Sequence, residues 1–306
     1  MMRTLTSKTK LVLAIGLSFA VATPALAGFP KTPIKKCADD AVVAGTLCLD
    51  TYEASVWRVT DPAVVKKIQK GKATLADLSG STQLGTAGDD YAPCTDNGQN
   101  CAGDIYAVSL PGTTPAAYIT WFQAQEACAN SGKRLPTSAE WQVGANGTPD
   151  PGPDNGTTDC NTASSFIAEP TGSRSSCVSA RGAYDMVGNL YEWVADWVPL
   201  STACPGWAGF SNDFMCLSGA STTANGPGAL LRGGDFFVLG TAAGPLTVLG
   251  FEPSSSSSSA SAAPASHIFV GHLAICTLAS RGWAGVVLPV RSRDAARETV
   301  AKRFSI

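Results

Sequence analysis

The sequence predicts a packed, exported domain that is rich in irregular loops and carries only short helices. Three observations predict it. Apolar residues fill 44% of the 306 positions and charged residues 15%, enough to bury a core. Glycine and proline number 31 and 19, many of them in runs such as "GTPDPGPDNG" (147–156) that interrupt regular structure. All ten cysteines lie beyond residue 27, as expected of a chain that folds in an oxidising compartment.

From the N-terminus, residues 1–27 read as a signal peptide: Arg3, Lys8 and Lys10 without an acid, the apolar run "LVLAIGLSFAVAT", then Ala25-Leu26-Ala27 as a small-x-small cleavage site before Gly28. The run is shorter than the roughly 20 residues of a spanning helix, so no stable membrane insertion is expected. The implied location is periplasmic, extracellular or the lumen of a secretory pathway. Removing three basic residues takes the formal net charge from −2 to −5, which argues against nucleic acid and anionic membrane as partners.

Eight cysteines form four close pairs, Cys37 with Cys48, Cys94 with Cys101, Cys160 with Cys177 and Cys204 with Cys216, separated by loop-like text such as "CTDNGQNC". Four local disulfides are the economical expectation, and spacing alone leaves the connectivity open. Zinc is the competing use. It is disfavoured because no C-x-x-C occurs and no histidine lies near these eight. Cys128 and Cys276 remain.

Two helices are signalled by their caps. In "TWFQAQEACANSG", Thr120 and Gln123 fit a capping box, Phe122, Ala124, Ala127 and Cys128 share a face, and Gly132 supplies a stop. In "TSAEWQVGANG", Thr137 and Glu140 repeat the box just behind Pro136. "NLYEWVADW" admits two readings: Tyr191, Trp193, Ala195 and Trp197 alternate like a strand, while Trp193 and Trp197 are also spaced as helix neighbours. With no fixed repeat and no linker before residue 253, one domain over 28–258 is the simplest partition, followed by an atypical tail at 259–306.

Three blocks, "YITWFQAQEACANSGKRLPTSAEW" (118–141), "GAYDMVGNLYEW" (182–193) and "LLRGGDFF" (230–237), together resemble the formylglycine-generating enzyme, or sulfatase-modifying factor, family. "CLDTYEASVW" (48–57) is similar to that family's opening strand. The resemblance implies an α+β, C-type-lectin-like fold rich in irregular loops, with small twisted sheets, two helices and often bound calcium. The framework residues it assigns are Arg134, Glu140, Trp141, Asn189, Trp193, Arg232, Gly233 and Gly234.

Oxidising members of the family carry a cysteine pair shortly after the RGG motif, whose thiolates hold copper(I) and engage the substrate thiol. Here "DFFVLGTAAGPLTVLGFEP" follows Arg232-Gly233-Gly234 without a cysteine, and Asp235 stands where serine is usual. Soft thiolates select a cuprous ion, so no copper is expected. A second branch uses iron held by histidines. The chain has only His267 and His272, both beyond the 28–258 domain, so no iron is expected and the two histidines read as incidental rather than as a metal site of their own. By resemblance, "DMVGNLYE" is the calcium loop, with Asp185 and Glu192 offering carboxylates and Val187 and Gly188 offering main-chain carbonyls. The alternative is that Asn189 caps a local turn answered by Glu192.

Arg134 and Arg232 read as buried structural arginines paired with acids such as Glu140 or Asp196 rather than ligand-binding cations. Trp121, Trp141, Trp193 and Trp197 suggest a carbohydrate platform, but core packing is the expected use of most of them. The sequons at Asn146 and Asn155 mark exposed loops.

The family's closing strand, of the form "IGFRCAR" with its cysteine bridging to the helix before "GKRLPT", is absent. Codons ATC GGC TTC CGC TGC GCC CGC spell that strand, and read one base later they give Ser-Ala-Ser-Ala-Ala-Pro-Ala, the text of residues 259–265. Composition changes there too: 28–258 hold 13 basic and 22 acidic residues, 259–306 hold 6 and 2. The hypothesis is a displaced reading frame, with a Ser/Ala/Pro linker to a small real tail as the alternative; gene sequence without a one-base displacement would sink it. Cys128 is then expected as a free thiol or joined irregularly to Cys276. The expected function is an exported, non-catalytic binding or structural module with a protein or carbohydrate ligand. The alternative is an oxidoreductase acting on a thiol substrate.

Overall fold

Residue alternation and capping set the elements. In the computed structural model, which describes residues 36–88, 90–218, 226–237, 242–255, 272–274 and 276–278, the chain opens with a hairpin of β1 (Ala41–Ala44) and β2 (Leu47–Asp50). β3 (Ala54–Arg58), with two β-branched or aromatic side chains in five positions, is the centre of a second sheet, flanked by β4 (Thr82–Leu84) and β5 (Ile105–Ser109). Between β3 and β4 lies α1 (Pro62–Ile68), started by Asp61 as N-cap and by proline in the first turn.

Both capping boxes form as the sequence predicts. α2 (Trp121–Asn130) begins at Thr120 with Gln123 answering, and α3 (Ser138–Ala145) begins at Thr137 with Glu140 answering. α2 buries Gln123, Ala124, Ala127 and Cys128, while Phe122 is only half-buried. Gln123 goes inside because its amide donates to Cys94 O and its carbonyl accepts from Thr120 N–H. α3 sits close on β2: a Cβ at Gly144 would lie 2.2 Å from Leu49, so that helix position needs a residue with no side chain.

"NLYEWVADW" resolves as strand. β6 (Tyr191–Pro199) joins β7 (Met215–Cys216), β8 (Pro227–Arg232), β9 (Val248–Phe251) and β10 (His272–Ala274) in a five-stranded sheet of order β10-β6-β8-β9-β7. The β6–β8 register shifts between Trp193 and Trp197, so the alternation fails there: Trp193 is fully buried and Trp197 is 43% exposed. Of the four tryptophans, most of which were expected in the core, Trp141 and Trp193 are fully buried, whereas Trp121 is half-buried and packs edge-on against Trp197. The mixture of short sheets, few helices and long loops is the α+β architecture expected.

The four local cysteine pairs are disulfides, and Cys128 is bonded to Cys276 across 148 residues. Of the two fates expected for Cys128, the bond is the one found. Residues 272–274 and 276–278, placed by the sequence in the atypical tail, pair within the sheets: β10 runs parallel to β6, and β11 (Thr277–Leu278) lies antiparallel to β2. The β6 edge is therefore covered by β10 rather than left open. His267, residues 1–35, where the signal peptide was expected, and most of 259–306 lie outside the described residues.

Replacing Cys128 and Cys276 together with alanine is expected to lower stability by about 5 kcal/mol, from the lost constraint on a loop of 148 residues. Urea unfolding of the double variant reads this directly, and an unchanged midpoint would contradict it.

Candidate functional site

The turn after β8 builds the site. Gly233 and Gly234 have φ of 84° and 86°, and a Cβ at Gly234 would meet Ala243 at 2.6 Å, so the chain bends where only glycine fits. The bend buries Asp235, 1% exposed, and brings Phe236 and Phe237 to the wall of a cleft of about 570 Å³. Tyr118, Phe166, Ile167 and Leu190 complete its principal lining, and among the described residues no charged one lines it. Phe166 packs its ring edge-on to Phe237 at 6.1 Å and remains 62% exposed; Ile167 is 64% exposed. Tyr118 and Phe166 both hold φ of 56°, a strained conformation for bulky residues that the surrounding structure must impose.

Asn189 holds the cleft together from beneath. Its side-chain amide donates to Glu53 Oε2 at 2.5 Å and to Glu169 O at 3.2 Å, while its carbonyl oxygen accepts from Asn161 Nδ2 and Glu169 N–H. Its main-chain oxygen accepts from Phe236 N–H at 3.1 Å. Glu53 in turn accepts from Leu190 N–H, and Asn161 donates to Ile167 O. Three cleft residues, Ile167, Leu190 and Phe236, thus hang on one buried polar network. The φ of Asn189 is 58°, a conformation asparagine tolerates better than most residues. Its role is wider than the local turn cap considered from sequence.

The four residues assigned to calcium occupy this same region. Asp185 is buried, and its Oδ2 accepts from Gly172 N–H at 2.7 Å. Glu192 is fully buried, with Oε2 accepting from Trp141 Nε1–H and Oε1 without a hydrogen-bond partner. Val187 is buried and packs with the Cys160–Cys177 bridge, and Gly188 N–H donates to Gly233 O. Burial pushes the Asp185 carboxyl up to about 7, and raises Glu53 and Glu192 well above the usual carboxylate range, with the other acids adding to the effect. Hard oxygen donors suit calcium, and Glu192 Oε1 is an orphaned atom that a cation would satisfy. Among the described residues, no three of His, Cys, Asp and Glu are grouped to hold a metal ion through side chains alone.

Other framework residues depart from expectation. Arg134 makes its two-pronged bond to Glu140, both contacts at 2.7 Å, but at the surface, with 37% of its side chain exposed. Arg232 is buried yet not ion-paired with Asp196. It stacks over Trp141 at 4.5 Å and donates to Ser138 Oγ, Gln142 Oε1 and Pro245 O, while Asp196 accepts from Ser138 N–H. Burial lowers the Arg232 guanidinium to about 10. All ten cysteines are in disulfides, so no thiol is available at the turn after β8. Glu53, Tyr118, Phe166 and Ile167 escaped sequence reasoning. The one signal was Glu53, the second of two acids in "CLDTYEASVW", directly before the apolar run that forms β3.

A family model described as the sulfatase-modifying factor enzyme 1-like domain matches residues 90–268. The chain is 39% identical over 89 residues to the serine/threonine-protein kinase Pkn1 of Chlamydia trachomatis serovar L2, a match covering 27% of this chain and 14% of the kinase. It is 30% identical over 144 residues to hercynine oxygenase of Mycolicibacterium smegmatis, covering 42% of this chain and 32% of that enzyme. These matches span less than a third of the length of either relative. Among solved structures, the P3c and M1 variants of the Major Tropism Determinant align with TM-scores of 0.37 and 0.39, at 18% identity over 77% of this chain and 51% of theirs.

The buried acids set a pH dependence. A carboxyl that keeps its proton to about 7 in the fold but loses it near 4 when unfolded makes the folded state bind more protons, so stability falls as pH rises through that window. Each such group contributes a slope of at most about 1.4 kcal/mol per pH unit. Asp185→Asn keeps an acceptor for Gly172 N–H and tolerates the φ of 59°, so its urea stability should vary less between pH 4 and 7 than wild type. Parallel curves would refute the assignment.

Proposed function

The chain belongs to the sulfatase-modifying factor enzyme 1-like family, and from that premise we propose that it works as an exported, non-catalytic binding module whose ligand enters the cleft bounded by Tyr118, Phe166, Ile167, Leu190, Phe236 and Phe237. One observation carries the reading: the segment after Arg232-Gly233-Gly234 presents phenylalanines to the cleft, with every cysteine of the chain engaged elsewhere. Thiolate chemistry on copper needs reduced sulfur at that turn, whereas aromatic walls, apolar floor and a volume of about 570 Å³ suit a bound small group or side chain. Export is supported by the leader-like residues 1–27 and by the five disulfides. The domain itself is taken as 28–258, with the segments at 272–278 clasped to it and the remainder of 259–306 as displaced or linker sequence.

Calcium belongs to the same reading as an ion held by Asp185 and Glu192 with main-chain oxygens of Val187 and Gly188. When bound it would supply positive charge against the buried acids. Added calcium should raise the melting temperature of wild type and leave Glu192→Gln unmoved; equal shifts in both would remove the ion from this loop.

Catalysis and binding are separated by two assays on the purified chain. With cuprous ion and a thiol peptide, oxygen consumption should stay at background. The apolar dye anilinonaphthalene sulfonate should bind wild type and lose about tenfold in affinity when Phe166 and Ile167 are both replaced by serine. Turnover with copper, or dye binding indifferent to the replacement, would overturn the proposal.

A further inference from the structure

Two unlike pairs of segments build the cleft. Phe166 and Ile167 meet Phe236 and Phe237 in one pair, whose side chains are wholly apolar. In the other, Thr86 follows β4 while Thr114 and Tyr118 precede α2, and these three carry the hydroxyls of the lining. The hydroxyl-bearing segments are clamped together: Ala117 N–H donates to Gly85 O at 2.8 Å, and Gln83 Nε2 donates to Thr114 O at 2.7 Å. Tyr118 is fixed from both flanks, since Ala117 O accepts from Tyr91 Oη at 2.9 Å and Ile119 O accepts from Trp193 Nε1 at 3.1 Å. Its φ of 56° is therefore imposed, and strain of this kind gathers where a side chain is presented to a ligand. Yet among the described residues no hydrogen bond holds the hydroxyl of Thr86, Thr114 or Tyr118.

We propose that the cleft takes a small, uncharged two-ring phenol, its rings held between Phe166, Leu190 and Phe237 and its hydroxyl directed to the set formed by Thr86, Thr114 and Tyr118. This rests on the cleft being the binding site. A hydroxyl both donates and accepts, and so does each of the three it would meet, so a bond can be completed whichever way the proton points. A charged head would lose its water without gaining a counter-charge, because among the described residues no charged one lines the cleft. Aromatic walls favour a flat ring, through edge-on contacts like that already made between Phe166 and Phe237 at 6.1 Å. A volume of about 570 Å³ is in the range of small-ligand sites and leaves room for two rings.

The probes are 2-naphthol, naphthalene and 2-naphthoate, matched in their rings and differing in head group, followed by their own fluorescence at pH 7 with the full disulfide-bonded chain. 2-Naphthol should bind about fivefold more tightly than naphthalene, the advantage of one net hydrogen bond, and 2-naphthoate no more tightly than naphthalene. Tyr118→Phe combined with Thr114→Val removes hydroxyls at nearly constant shape, and in that variant the preference for naphthol over naphthalene should vanish. A merely structural lesion would weaken both compounds and keep the preference. Naphthalene binding as tightly as naphthol to wild type would overturn the hydroxyl assignment and leave the cleft standing. Tighter binding of naphthoate than of naphthol would overturn the uncharged head. Binding of none of the three would overturn the cleft and the assignment with it. Should the double variant not fold, Tyr118→Phe and Thr86→Val are made singly, and a preference unaltered in both would remove these hydroxyls from the site.

Discussion

Closure of Cys128 onto Cys276 is the constraint on which the rest of the molecule depends. The bond ties α2 to the segment that supplies β10 to one sheet and β11 to another. It does not act alone. Asp50 N–H donates to Cys276 O at 3.1 Å, and Cys276 N–H donates to Asp50 Oδ2 at 3.3 Å. Lys133, buried in the loop between α2 and α3, places its Nζ 2.5 Å from Asp50 and 2.6 Å from Asp40. Removing one partner of such a cluster would strand a buried charge, so the ion pairs fix geometry more than they add net stability. The functional consequence concerns sulfur. With the other eight cysteines paired locally, the fold keeps its cysteine sulfur as staples, and the turn after β8 presents aromatic rings to the cleft.

Pre-organisation of the cleft follows from a second constraint, the network around Asn189. It joins the residue before β3 through Glu53, the 161–169 loop through Asn161 and Glu169, and the segment after β8 through Phe236. These segments are far apart in sequence, so none could hold its cleft residue in place locally. A buried network whose members are mostly satisfied is rigid, and rigidity reduces the ordering cost of binding. The left-handed conformations of Tyr118 and Phe166 fit the same account, since strain persists only where the surroundings over-determine it.

What was legible in the sequence is what local physics decides. The capping boxes at Thr120 and Thr137 could be read because both halves of each lie within four residues. The four short disulfides could be read because their cysteines are 7 to 17 residues apart. The framework motifs carried the family and, with it, the α+β class. The strands at 272–274 and 277–278 could not be read, being too short for any alternation to show. Nor could the fate of Trp197, because a register shift in β6 breaks the period that buries Trp193. The cleft was invisible for a different reason: residues 118, 166, 190 and 236 meet only through tertiary contacts, and each alone resembles ordinary core or loop.

The central claim is that this member of the family retains the fold and has no free thiol left to grip a metal. It is tested most directly by counting reactive thiols in the purified chain after denaturation without reductant. The account predicts none, with ten appearing once reductant is added. Two or more reactive thiols before reduction would contradict it.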